Sequence, residues 1–162
     1  MRKEGDEKEM KRVKGGMKVI SGQIDSGTYN GVENKIQLFD GKFTTGYRVK
    51  SLKIAPRLVT NTVEGQVKVT TEPDSTISAW NWQDVTEIAW AGWGVPNVGA
   101  SLEMVNIRED NMVIQDLFIS CYSPTSGGPH TFNYELVLEK YEFTAWDGAS
   151  TMVRNQSQAG PE

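Results

Sequence analysis

Few side chains in this 162-residue chain could support acid–base or nucleophilic chemistry. His130 is the only histidine and Cys121 the only cysteine, and His130 follows the loop SPTSGGP. A catalytic base or nucleophile needs a partner that orients or activates it, and zinc needs three or four closely spaced ligands. The sequence also lacks the G-x-S-x-G and G-x-x-x-x-G-K-[ST] motifs. We therefore expect no enzyme, no metal and no cofactor, and we expect His130 to be a solvated or capping loop residue.

Acidic side chains leave two weaker alternatives. Asp and Glu are numerous, so a glycosidase with paired carboxylates stays open, although nothing in the sequence singles out a pair. Calcium would find oxygen ligands in Glu109-Asp110-Asn111 or in Asp25-Ser26, but neither stretch fits a D-x-D-x-D-G loop. Exposed polar turns are the simpler interpretation of both stretches.

Four of the five tryptophans lie in the stretch WNWQDVTEIAWAGWG, at positions 80, 82, 90 and 93. Trp80 and Trp82 are two residues apart, so they would project from the same side of an extended segment. Trp90 ends the alternation of TEIAW and is expected in the core, whereas Trp93 is expected in a glycine-flanked loop. Three interpretations stay open for Trp80, Trp82 and Trp93: packing within the chain, an interface between subunits, or a platform on which a ligand such as a sugar ring stacks.

The elements that would position these residues are strands. Alternation of apolar and polar residues, together with short runs that are apolar throughout, indicates eight of them. They are predicted at 17–24, 34–39, 43–56, 65–72, 85–90, 102–107, 111–122 and 132–139. One helical turn is predicted at 145–152.

Several strands carry finer predictions. GQVKVTTE alternates and predicts a half-buried strand, whereas NMVIQDLFISCY is apolar on both parities and predicts a central strand covered on both faces. In FTTGYRVKSLKIAP the apolar residues change from odd-numbered to even-numbered positions, which predicts a bulge near Ser51. After Lys140 they change back to odd-numbered positions, which predicts a bulge or a strand end. Asp40-Gly41 lies between two strands and predicts a type I′ hairpin, in which both central residues have positive φ.

Eight short strands without a sustained helical pattern predict an all-β protein, an antiparallel β-sandwich of the eight-stranded jelly-roll type. A closed barrel stays open, and so does an immunoglobulin-like sandwich, although one cysteine cannot supply the Cys–Trp–Cys pattern of antibody domains. We expect the β-sandwich domain to span 17–154, with a charged N-terminal arm at 1–16 and a polar C-terminal tail at 155–162.

Charge is unevenly distributed between the arm and the rest of the chain. The arm holds six Lys/Arg and four Asp/Glu, for a net charge of +2, whereas the remainder holds eleven and seventeen, for −6. The arm is either a solvated tail or a segment that orders against an acidic neighbour through its basic residues. These are Arg2, Lys3, Lys8, Lys11, Arg12 and Lys14. Because the arm has no apolar run we expect no membrane insertion, and the overall charge of −4 gives no reason to expect specific nucleic-acid binding.

The chain resembles uncharacterised virion structural proteins of marine bacteriophages in three stretches: QLFDGKFTTGYRVKSLKIAPR, TEIAWAGWGVP and LEKYEFTAWDGASTMVRNQSQ. In those proteins a similar Asp-Gly hairpin leads into a basic strand, and a similar segment closes the chain. The likeness spans most of residues 18–158. It contains no catalytic signature, and it carries over no functional residue.

The resemblance implies a structural component of the virion: a capsid shell subunit, a decoration or vertex protein, or part of a tail. Such a protein would act by associating with copies of itself and with other virion proteins. The main alternative is a carbohydrate- or receptor-binding module, on the same kind of particle, that contacts a host-surface glycan through Trp80, Trp82 and Trp93.

Overall fold

The computed structural model describes residues 11–27, 31–58, 63–73, 76–94, 102–108 and 111–142, without the side chains of 11–15, 102 and 103. Eight strands run through these residues, which confirms the number predicted from the alternation. Their bounds are β1 Lys11–Asp25, β2 Val32–Ile36, β3 Thr45–Pro56, β4 Gly65–Thr70, β5 Glu87–Gly94, β6 Leu102–Ile107, β7 Leu117–Tyr122 and β8 Thr131–Glu142.

The strands form two antiparallel sheets that pack face to face, so the predicted β-sandwich is confirmed. One sheet has three strands in the order β1-β8-β3, and the other has five in the order β2-β7-β4-β5-β6. The jelly-roll form of the fold stays a prediction. A regular jelly roll of eight strands has two sheets of four strands each, whereas here β6 pairs with β5 and the second sheet has five strands.

The core lies between the two sheets and consists of aliphatic and aromatic side chains with almost no exposed surface. Alternate residues of β4, Val67 and Val69, contribute from the five-stranded sheet, and Phe132, Leu136 and Leu138 of β8 contribute from the three-stranded one. The face predicted for β8 from FNYELVLE is thus the core face. Burial of each such side chain stabilises the fold by about 1.5–3 kcal/mol.

The two predicted irregularities of strand parity have different outcomes. Between Val49 and Ser51 the pairing of β3 with β8 shifts by one residue, which confirms the bulge predicted near Ser51. The bulge or strand end predicted after Lys140 is wrong, because β8 continues to Glu142 in unbroken pairing with β3, and the shift opposite this position lies in the partner strand β1, between Arg12 and Met17. Tyr141 is therefore buried on the face opposite to Leu138.

The type I′ hairpin predicted at Asp40-Gly41 is wrong. β2 pairs with β7 and β3 pairs with β8, so the loop between β2 and β3 crosses from one sheet to the other. Only Gly41 has positive φ, at 83°, whereas a type I′ turn needs two such residues. The Asp40 carboxylate instead accepts a hydrogen bond from the Lys42 backbone N–H at 2.9 Å, which closes a local turn.

The strand predicted at 111–122 is central, as expected, because β7 lies between β2 and β4, but it begins only at Leu117. Residues 112–114 are buried but lie outside β7, and Val113 instead forms an isolated antiparallel bridge with Tyr47 of β3. The interruption coincides with Asp116, whose Oδ1 accepts the backbone N–H groups of Leu38 and Phe39 at 2.8 and 2.9 Å. Asp116 thereby holds the loop that links the two sheets.

Strand β1 begins at Lys11, six residues before the predicted start at residue 17, so part of the segment predicted as an arm belongs to the three-stranded sheet. Arg2, Lys3 and Lys8 lie outside the described residues, as do the side chains of Lys11, Arg12 and Lys14. The helical turn predicted at 145–152, the tail at 155–162 and the acidic pair Glu109-Asp110 also lie outside them.

Candidate functional site

The connection between β4 and β5 lies over the outer face of the five-stranded sheet, and it carries Trp80 and Trp82. Lys68 of β4 points toward this connection from the sheet below. Its ammonium donates to the backbone carbonyls of Thr76 and Ala79 at 3.0 and 2.7 Å. Strand β4 is consequently buried on both faces, and the prediction that it would be half-buried is wrong.

A buried ion pair fixes this arrangement. Lys68 Nζ lies 2.8 Å from Glu87 Oε1, and both side chains are almost completely buried. The other carboxylate oxygen of Glu87 accepts the backbone N–H of Asn81 at 2.8 Å and the indole N–H of Trp90 at 2.7 Å. A buried charge is tolerated where its hydrogen-bonding groups are satisfied, and these contacts satisfy both partners.

Trp90 is buried, as predicted, but it lies outside the core between the sheets. It pairs with Lys68 across the β4–β5 ladder and so shares the outer face of the sheet with that residue. An extra residue in β5, between Glu87 and Ala89, changes the parity that TEIAW predicted. The Trp90 ring packs 5.7 Å from the ring of Trp82 and lies 5.1 Å from the Arg108 guanidinium. Trp82 itself remains half exposed.

Trp80 lies over Gly92, the next outward-facing position of β5. A Cβ atom added to Gly92 would meet the Trp80 ring at 3.0 Å, so the glycine permits the close approach of the indole. Residues 76–86 form turns and not an extended segment, so the prediction that Trp80 and Trp82 share one side for that reason is wrong. Both rings nevertheless cover neighbouring positions of β5.

Trp93 belongs to strand β5 and not to a loop, which corrects the sequence prediction. It pairs with Gly65 at the end of the β4–β5 ladder and packs in part against the core. Gly65 is required there, because a Cβ atom on it would lie 2.1 Å from the Phe132 ring. The indole of Trp93 thus closes one end of the sandwich.

Trp80 and Trp93 line one groove of about 270 Å³ at this end of the five-stranded sheet. Tyr122 and Pro124 supply further apolar surface, and Met104 of β6 lies at the edge. The groove also touches three glycines and two polar residues. These are Gly65, Gly92, Gly94, Glu64 and Gln66. Aromatic walls beside a few polar groups are typical of sites that bind small ligands, and this volume lies just below the usual range of about 300–1,000 Å³.

The indole N–H groups of Trp80 and Trp93 are both buried, and neither has a hydrogen-bond partner among the described residues. A buried donor without an acceptor costs roughly 1–3 kcal/mol. Both residues line the groove, Trp80 from the outer face of the sheet and Trp93 from the core-facing side of β5.

The structure brings together two of the three tryptophans predicted as a contact surface. Trp80 and Trp93 share the groove, whereas Trp82 lies against Trp90, beyond the groove lining. Sequence reasoning missed the contributions of Tyr122 and Met104. Gly92, an isolated glycine inside a strand, was a signal that another group approaches the backbone closely.

Residues first considered for catalysis have structural contacts. The ring Nε2 of His130 lies 3.2 Å from the Thr125 carbonyl, to which its N–H donates, so His130 holds its own loop. Cys121 is buried in β7, and burial, reinforced by the charge of Asp25, raises the pKa of its thiol to about 12. No group of three or more metal-ligating side chains occurs among the residues that the structure describes.

Within the same residues, no helix is long and apolar enough to cross a membrane. No protein-family model matches the chain. No curated protein matches it significantly either.

Proposed function

We propose that this protein is a structural component of a virus particle, a non-enzymatic β-sandwich in the shell, decoration or vertices of a bacteriophage capsid. It acts by binding copies of itself or other capsid proteins. The proposal is supported by the resemblance of three sequence stretches to phage virion proteins. An antiparallel β-sandwich is also compatible with such a role, although the fold alone does not assign it.

The observation that carries the proposal is exposed apolar surface on two edge strands. On β1, the side chains of Met17 and Val19 are 47% and 58% exposed. On β6, those of Met104 and Val105 are 55% and 48% exposed. Edge strands in monomeric proteins commonly carry lysine, proline or bulges that prevent pairing with another chain. β1 carries Lys18 and the register shift between Arg12 and Met17, whereas β6 contains no lysine, proline or register shift. Paired apolar residues at such edges favour contact with a second protein.

These two edges lie on opposite sides of the sandwich. β1 packs over β2 and β7, whereas β3 packs over β5 and β6, so β1 and β6 are separated by the width of the sheets. A subunit with separate contact surfaces binds more than one neighbour at a time, which a closed shell or ring requires.

The direct test is the assembly state of the purified full-length chain, measured by light scattering and electron microscopy. The proposal predicts association that increases with concentration, or binding to preassembled capsids, with a defined symmetry. A protein that stays a single chain at every concentration and binds no capsid would contradict it.

The basic N-terminal arm is proposed to strengthen this association by reaching the acidic body of a neighbour. Residues 1–10 hold three basic and four acidic residues, so the test replaces Arg2, Lys3 and Lys8 by glutamine and leaves β1, which begins at Lys11, unchanged. Association should weaken after the replacement, and it should also weaken at about 1 M salt, where screening acts within roughly 3 Å. Association that is unchanged by both treatments would show that the arm is passive.

A carbohydrate- or receptor-binding module is the second candidate, and the groove between Trp80 and Trp93 favours it. Sugar rings stack their C–H faces on aromatic rings, and the Glu64 carboxylate and Gln66 amide could accept or donate hydrogen bonds to hydroxyl groups. The size of the groove suits a single ring better than a long chain of sugars.

A glycan array probed with the full-length protein tests this second candidate. Trp80→Ala removes a wall of the groove and should abolish binding, whereas Trp82→Ala, a tryptophan outside the groove lining, should leave binding unchanged. Binding lost equally in both variants, or absent from the wild-type protein, would exclude the groove as a glycan site.

A further inference from the structure

Strand β6 ends the five-stranded sheet, and its backbone polarity can be assigned from the ladder. The Arg108 N–H donates to the Ile88 carbonyl at 2.8 Å, in continuation of the register that pairs Ile107 with Ala89. In an antiparallel ladder, hydrogen-bonded pairs alternate with non-bonded pairs. The backbone N–H and C=O groups of Met104 and Asn106 therefore bond to β5, whereas those of the alternate residues of β6 point away from the sheet. These outward residues are Glu103, Val105 and Ile107.

The β6 sequence, LEMVNI, does not protect this outward edge. It contains no lysine, proline or glycine, and its single charged residue is Glu103. Val105 shares the core-facing side of the sheet with Ala91, yet its side chain is about half exposed because it lies at the open margin. Met104, on the outer side opposite Gly92, is more exposed still. An edge with these properties is a template for pairing with another strand.

A second copy of β6 fits this template in a symmetric antiparallel register. A two-fold axis through Val105 places the two Val105 residues opposite each other, so that each donates to and accepts from the other. The same register places Glu103 opposite Ile107 and Met104 opposite Asn106. No two residues of like charge lie opposite each other in this register. Directly opposed residues lie on the same face of a sheet, so Val105 is on the core-facing side in both copies and Met104 is on the outer side in both.

We infer that two copies of this chain pair edge to edge through β6, antiparallel about a two-fold axis at Val105, so that two five-stranded sheets form one continuous sheet. This inference deepens the proposed function and rests on it, since it names the surface by which copies associate. The interface is self-complementary, as the contact of a two-fold dimer must be.

Substitution of matched exposed valines in the full-length chain tests the pairing. Val105→Lys places two like charges opposite each other, and it should raise the dissociation constant of the dimer by about tenfold or more, equivalent to about 1.4 kcal/mol. Val85→Lys is the control, because it makes the same change at an exposed valine that lies in the turn before β5 and on neither edge strand, and it should leave this dimer intact. Sedimentation velocity gives both constants, and circular dichroism confirms the fold of each variant.

A cross-linking experiment keeps the test independent of any loss of stability. Val105→Cys treated with a short bismaleimide should yield a covalent dimer, whereas Val85→Cys should not. The natural thiol of Cys121 is buried and stays unmodified, so each variant has one reactive cysteine.

The outcomes separate the inference from the proposed function. If the wild-type chain associates but Val105→Cys gives no dimer and Val105→Lys has no effect, pairing through β6 is overturned and association by another surface stands. If the wild-type chain does not associate at all, the pairing and the self-association on which it rests both fail.

Discussion

The ammonium group of Lys68 lies 2.8 Å from the carboxylate of Glu87 on the outer face of the five-stranded sheet, beneath the connection that carries Trp80 and Trp82. The pair links strand β4 to the start of β5 and ties both to the backbone of the connection. The position of Trp80 above Gly92, and hence the groove, depends on this buried pair.

Replacing Lys68 by methionine should therefore destabilise the protein strongly. The substitution keeps an unbranched side chain, one atom shorter, but leaves the Glu87 carboxylate buried without its cation, which costs about 3–5 kcal/mol. Urea unfolding measures the change. The exposed Lys53→Met serves as the control, and a loss for Lys68→Met as small as that of the control would show that the pair does not stabilise the fold.

Two tryptophans in contact should differ widely in their effect on stability. Trp90→Ala removes a buried ring and the hydrogen bond to Glu87, and it should cost about 3–5 kcal/mol. Trp82→Ala, in a ring that is half exposed, should cost about 1 kcal/mol or less. Equal losses in the free energy of unfolding would mean that the connection over β5 is not packed as described.

Two glycines that line the groove should also differ in how much their replacement by alanine destabilises the protein. Gly65→Ala places a Cβ atom 2.1 Å from the Phe132 ring, so the core must shift, at a cost of roughly 1–3 kcal/mol. Gly94→Ala meets only Glu64 Cγ at 3.8 Å and should be close to neutral. Thermal unfolding of both variants makes the comparison, and a neutral Gly65→Ala would contradict the close contact with Phe132.

Acid should weaken the loop between the sheets through Asp116. Burial alone would raise the pKa of Asp116, but the N–H groups of Phe39 and Leu38 and the Lys35 ammonium lower it below its ordinary value. The folded state then binds the proton less tightly than the unfolded state. The stabilisation is complete above the unfolded pKa of about 3.9 and is lost as the pH falls toward the folded pKa.

The measurement is the free energy of unfolding between neutral and acid pH for the wild-type protein and for Asp116→Asn. The variant keeps an oxygen acceptor but cannot titrate at this position, so its stability should fall less steeply with acid. Identical pH profiles would show that Asp116 does not contribute.

Local patterns were sufficient to predict much of the fold. Alternation identified the eight strands, the core face of β8 at Phe132 and Leu136, and the bulge near Ser51, because each depends on whether a side chain faces the core. The hairpin at Asp40-Gly41 failed because the choice between turning back and crossing to the other sheet depends on distant partners, such as Asp116.

The outer face of the five-stranded sheet could not be predicted for a related reason. A lysine alternating with valines, as Lys68 does, normally faces solvent, and nothing near it in the sequence shows that residues 76–86 fold back to cover it. The extra residue of β5 between Glu87 and Ala89 places Trp90 on that outer face, and the connection that covers it brings Trp80 to the same groove as Trp93. The sequence could indicate that the tryptophans cluster, but not which of them share a groove.

Sedimentation velocity of the full-length chain over a concentration series tests the central claim most directly. The account predicts an average mass that rises above the 18.0 kDa of one chain as concentration increases, with a dimer as the first associated species. A mass that stays at one chain up to the highest soluble concentration would contradict self-association, and it would contradict the structural role as well if the chain also binds no preassembled capsid.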